Sequence, residues 1–148
     1  IAELVITVNP QYLNVCNIAS PVTGLEAKFS YRLVAAMFMH GHDTARIETY
    51  NDMICQDKDV LRLRDLVIVA TDAGISDAAA TVDLKLASGD QHSQSFNLTD
   101  PMSLPAREAR VRAKAASLIG AGEADSLWQK VGLAEQLPSL WIADQALT

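Results

Sequence analysis

The chain has 148 residues, with 12 Lys and Arg against 18 Asp and Glu for a formal net charge of −6; that length suits one domain with a real core and crowds two. Hydrophobic residues at 49% and charged residues at 20% are globular values that exclude a disordered tail, and the acidic balance argues against a nucleic-acid partner, which needs a basic face for phosphates. The longest apolar run, Leu33 to Met39, is far short of the about 20 residues of a membrane span, and no basic-then-apolar leader is visible, so the chain reads as soluble.

Leu4 to Val8 is a β-branched run closed by Asn9-Pro10 and predicts a first strand. A polar connection follows from Gln11 to Ser20. Thr23-Gly24-Leu25-Glu26 has the form of a capping box, with Thr23 as N-cap, and nothing from there to Met39 interrupts a helix that Gly41 would end. A second helical stretch is predicted over Ile47 to Asp57 and a short turn or helix over Asp59 to Arg64. Leu66 to Ala70 is continuously apolar, the pattern of a central strand. Thr81 to Leu86 alternates, with Val82, Leu84 and Leu86 on one face, and Ser88-Gly89-Asp90 turns it into Gln91 to Leu98, a hairpin.

From Pro105 the chain reads as helical: Ala106 to Ile119, then Glu123 to Val131 after Gly120-Ala121-Gly122, then a last helix after Pro138. The predicted fold class is α+β, a two-layer sandwich of a mainly antiparallel four-stranded sheet with helices on one face, plus a C-terminal helical tail. The predicted division is 1–104 for the α+β domain and 105–148 for the helical segment.

The helix after Thr23 carries the most information. Leu25, Phe29, Leu33, Ala36 and Met37 make one apolar stripe, and Tyr31, Val34 and Phe38 make another. A helix apolar on two sides is buried on two sides. A sheet covers one, so a second copy of the chain or a further domain is expected on the other. Lys28 and Arg32 fall at i, i+4 near the helix start, where like charges repel and the dipole opposes them. An anion there would reverse the balance, since free N–H groups point the same way; extension into solvent, or pairing with Glu26, is the competing reading.

Other chemistry is sparse. His40-Gly41-His42-Asp43 has metal-ligand types, but i, i+2 is not a chelating spacing on a helix, so dipole-stabilised histidines are expected and no metal site is assigned. His92 lies in a strand without a partner in sequence. Cys16 and Cys55 form no CxxC pair and read as reduced near-core residues of a cytoplasmic protein, a single bridge being the alternative. No nucleophile elbow or phosphate loop is present, and no catalytic residue or cofactor is assigned. Arg107, Arg110, Arg112 and Lys114 make the third helical region basic, a solvated face or a docking surface for an acidic partner. Trp128 and Trp141 are spaced as core anchors of the terminal helices.

Cys16-Asn17-Ile18-Ala19-Ser20-Pro21-Val22-Thr23-Gly24-Leu25-Glu26-Ala27-Lys28-Phe29-Ser30 resembles the signature of the MmgE/PrpD family, which includes 2-methylcitrate dehydratase, cis-aconitate decarboxylase and iminodisuccinate epimerase. Tyr50-Asn51-Asp52, the strand near Val67, the Ser88-Gly89 hairpin and Pro101-Met102-Ser103 ahead of Lys114 follow in the family's order. The resemblance implies the second half of such a protein: a lid and the C-terminal helices that return to a helical domain holding most of the catalytic acid/base residues. The start at Ile1, without an initiator Met, fits a processed or trimmed chain or a piece of a longer one.

What the resemblance implies for function is the lid portion of a cofactor-independent lyase or isomerase acting on small di- or tricarboxylates, inactive alone. Lys28 and Ser30 match the motif and would lie on the lid side of the cleft; Tyr31-Arg32 departs from it, so a substrate-binding role for Arg32 rests on its charge alone. Two readings of Lys28 stand: a carboxylate anchor, or a cap and bridge between domains. The alternative function is a non-catalytic α+β module that self-associates or binds a small anion.

Overall fold

The computed structural model describes residues 1–134, and the helix predicted after Pro138, with Trp141, lies outside them. The elements in chain order are β1 (Glu3–Val8), α1 (Leu13–Cys16), α2 (Gly24–Ala27), α3 (Tyr31–Met39), α4 (Lys58–Arg64), β2 (Val67–Thr71), β3 (Ala79–Lys85), β4 (Gln91–Asn97), α5 (Leu104–Ile119) and α6 (Ala121–Ala134). They fall into two compact units, Ile1–Pro101 and Met102–Thr148.

The first unit is an α+β sandwich on a four-stranded sheet of order β2-β1-β3-β4. β1 pairs parallel with β2 and antiparallel with β3, and β3 pairs antiparallel with β4. The apolar strand at 67–71 is therefore an edge strand, not the central one its composition predicts. β1 takes the centre because the helices return the chain parallel to one side of it, and the β3–β4 hairpin then occupies the other. Ile68 of β2 is 45% exposed, which shows how poorly a continuous apolar run reports position in a sheet.

The register sorts the two faces. Leu4, Ile6, Val8 and Val67 are buried on the inner face, where Tyr31, Ala35 and Met39 of α3 pack against them. The outer face carries Thr7, Thr81, Asp83 and Ser95, with the Thr81 and Ser95 hydroxyls 2.8 Å apart, so it suits water. β3 and β4 meet at a tight turn in which Gly89 has φ +96°, the left-handed conformation that favours glycine.

Two predicted helices change. The helix expected from Thr23 to Met39 is broken: α2 ends at Ala27, Ser30 is extended, and its Oγ accepts from the Leu33 N–H to start α3 afresh. The break is fixed by a bridge between Asn17 and Ser30 and by the Ile18 N–H donating to the Phe29 carbonyl at 3.0 Å. The helix expected over Ile47 to Asp57 is instead two 3-10 turns, Ile47–Thr49 and Ile54–Gln56. Between them Asn51 donates to the Glu48 carbonyl and accepts from the Ile54 N–H, a side chain replacing the helical ladder.

Leu33, Ala36 and Met37 are fully buried, but not by a second copy. Ile54, Cys55 and Val60 close over them, with Tyr50, Leu61 and Leu63 at the rim. The two-sided burial expected of this helix is thus met within the chain, by the sheet on one side and α4 with the 54–56 turn on the other. Val34 is half-buried, and Phe38 remains on the outside at 72% exposure.

α3 ends in a Schellman turn: the Gly41 N–H donates to the Phe38 carbonyl, the His42 N–H to the Met37 carbonyl, and Gly41 has φ +90°. In the second unit, Ser103 caps α5, and α5 and α6 pack as a pair. Arg112 joins them, bonded to Asp125 at 2.8 Å, with Glu108 at 3.5 Å and the Trp128 ring centroid 5.4 Å away. One of the four cations of α5 is thereby paired inside its own unit.

Candidate functional site

The motif from Pro21 to Ser30 folds as one capped turn of helix followed by the break. Thr23 Oγ1 accepts from the Glu26 N–H, and Glu26 Oε2 accepts from the N–H groups of Val22 (2.7 Å) and Thr23 (3.2 Å), the reciprocal pattern of a capping box. The Gly24 N–H donates to Asp52 Oδ1 at 2.8 Å. Three consecutive backbone donors at the start of α2 are therefore already satisfied by the chain's own carboxylates. The backbone donors that an anion at this helix start would use are taken up by Glu26 and Asp52, and Lys28 and Arg32 do not share the i, i+4 face of a continuous helix.

The segment Tyr50 to Cys55 presses onto this turn. Gly24 has its backbone against Tyr50 and Asn51 with no room for a side chain. Cys55 Sγ lies 3.4 Å from the Thr23 carbonyl, and burial pushes its thiol up from the ordinary value, with Asp52 and Glu26 adding to the effect. The Tyr50 hydroxyl donates to the Thr44 carbonyl at 2.8 Å, and its own pKa is raised by burial and then by Asp43. Cys16 and Cys55 are both free thiols.

The three candidate ligands differ in what they leave for a substrate. Ser30 is 1% exposed, and its oxygen accepts from the Leu33 N–H. Arg32 is half-buried; its Nε donates to the Val67 carbonyl at 3.2 Å and its Nη1 to Asn17 Oδ1 at 3.1 Å, bracing α3 against β2 and the connection before α2. Lys28 is exposed, with its Nζ 5.8 Å from the centroid of the Tyr50 ring, over which a cation is attracted. No salt bridge is formed by Lys28 among the described residues.

Sequence reasoning missed Asp52 and Asn17 as partners in this region. No spacing rule could find them, because Asp52 acts on Gly24 and Asn17 on Arg32 only once the chain has folded back. A separate apolar groove of about 870 Å³ lies between the outer side of α3 and the inner face of β3 and β4, lined by Leu4, Val34, Phe38, Val82 and Leu84, with His92 of the edge strand at its border. Among the described residues, its lining holds no Lys or Arg. Among the described residues no group of three or more His, Cys, Asp or Glu side chains could hold a metal ion, and no helix is long and apolar enough to cross a membrane. Compared with known proteins, the chain matches no family model, and no curated protein matches it.

Proposed function

We propose that this chain is the lid portion of a cofactor-independent lyase or isomerase of small di- or tricarboxylates, with Lys28 as its carboxylate anchor. One observation carries the choice of Lys28. The other polar side chains of the motif hold the motif together, whereas Lys28 presents its charge to solvent beside an aromatic ring. An exposed lysine is a cation at neutral pH, suited to hold a carboxylate rather than to take a proton. In the complete enzyme a fixed cation of this kind would stabilise charge developing on the substrate carboxylate as the neighbouring proton leaves. The chain alone is expected to bind weakly and turn nothing over, since the acid/base residues that the resemblance implies lie elsewhere.

Calorimetric titration with citrate, on the chain and on Lys28→Ala, tests the anchor. Saturable binding that disappears in the variant is expected; identical heats in both would remove Lys28 from recognition. Assay with 2-methylcitrate and cis-aconitate tests the other half, and sustained turnover by the 148-residue chain would sink the lid assignment.

A second reading, a non-catalytic module that self-associates, is favoured by the groove beside α3, where Phe38 stays uncovered. In the lid reading the same surface is where a helical domain would pack. Native mass spectrometry separates them: a tight dimer favours the module and a monomer the lid.

A further inference from the structure

On sequence, the i, i+2 spacing of His40 and His42 argues against a chelate, because two such residues point to different sides of a helix. The Schellman turn removes that objection. His40 is the C-cap of α3, Gly41 follows with φ +90°, and the chain reverses so that His42 lies back over the end of α3. The two rings then stand 5.2 Å apart between centroids, inclined by 25°, and His40 Nδ1 is 3.3 Å from His42 Nε2.

That separation has two chemical uses. It is the length of one N–H···N hydrogen bond between neutral imidazoles. It is also the bite of a tetrahedral zinc ion: two Zn–N bonds of about 2.0–2.1 Å at the tetrahedral angle place their nitrogens about 3.3–3.4 Å apart. His40 is exposed and His42 half-buried, so the position is open to solvent on one side. Asp57, the N-cap of α4, lies within electrostatic reach of both rings and adds negative potential there.

We propose that His40 and His42 form a two-nitrogen site for a borderline divalent cation, zinc, bound between His40 Nδ1 and His42 Nε2. Water completes the shell, as no third His, Cys, Asp or Glu side chain among the described residues joins the pair. The ion is therefore exchangeable, and it staples the C-terminal turn of α3. This site is independent of the Lys28 reading and uses none of its residues.

The chain has three histidines, which makes a selective test available. Zinc is titrated into the full chain while the imidazole nitrogens are followed by NMR, with His92 on β4 as the internal control. Saturable shifts of His40 Nδ1 and His42 Nε2, with His92 unmoved, are expected, together with a rise in thermal midpoint. In His42→Ala and His40→Ala both effects are lost; the turn itself is made by backbone bonds, and the amide spectrum checks that it persists. Equal shifts at all three histidines, no saturation at millimolar zinc, or unchanged binding in His42→Ala would each overturn the site. If either variant unfolds, the selectivity against His92 in the unaltered chain decides the question.

Discussion

Gly24 and Asn51 meet backbone to backbone: a Cβ on residue 24 would stand 2.6 Å from the Asn51 Cα and closer still to the Tyr50 carbonyl oxygen. Glycine here is a requirement of space, not of φ, and the contact fixes how the 50–55 segment seats on the motif. Neither neighbour can yield, because both contacts are with main chain.

Gly24→Ala is therefore expected to cost about 1–3 kcal/mol, the range of overpacking in a close-packed site. Urea denaturation followed by circular dichroism measures it. A variant as stable as the parent would mean that the segment shifts freely, and the seating would not be tight.

Ser30 decides that α3 starts where it does. Its buried hydroxyl oxygen accepts from the Leu33 N–H at 3.2 Å, and Ser30→Ala leaves that donor without its cap. A loss of about 1 kcal/mol is expected from the cap alone, with Ser30→Thr or Ser30→Asp recovering part of it. Recovery also separates a capping role from substrate binding, which stability measurements would not register.

Asp57 gives stability a pH dependence with a definite sign. Its carboxylate is held below the ordinary value of 3.8, first by the Val60 N–H, then by the Asp59 N–H and by the nearby His40 and His42. The unfolded chain takes up the proton first, so this stabilisation is complete above 3.8 and is lost as pH falls through the lower folded value. Asp57→Ala should lower the urea midpoint at neutral pH, and the difference should vanish well below 3.8. A difference that persists in acid would place the effect in packing rather than charge.

Cys55 should be slow to alkylate in the folded protein. It is 6% exposed, and burial, Asp52 and Glu26 all disfavour its thiolate, the reactive form. Mass spectrometry after a short pulse of iodoacetamide should find Cys55 unmodified in buffer and modified in urea. Modification at the same rate in both would contradict the packing of the 54–56 turn over α3.

Much of the fold is written locally. The capping box at Thr23 and Glu26, the Ser88-Gly89-Asp90 hairpin turn, the alternation of Val82 and Leu84, and Pro105 at the first turn of α5 each depend on neighbours within a few residues. Their elements appear close to where the residues predict them. The α+β class follows from their order, and the inner and outer faces of β3 follow from the period of a strand.

The candidate site is less legible, for a related reason. Lys28 was identifiable from the motif, but its exposure was not. Neither was the burial of Ser30, nor the engagement of Arg32 with Val67 and Asn17. The uninterrupted apolar run from Leu33 to Met39 says nothing of a bridge between Ser30 and Asn17 that breaks the helix before it.

What the sequence by itself determined is the set of pieces: the strands, the caps, the hairpin, and the absence of a long apolar span among the described helices. Tertiary structure alone decided which strand is central, what covers Leu33 and Met37, that Asp52 rather than an outside anion receives the Gly24 N–H, and that two histidines two positions apart face each other. The pieces are governed by torsions and hydrogen bonds between near neighbours. Their arrangement depends on partners dozens of residues away, which periodicity and spacing do not encode.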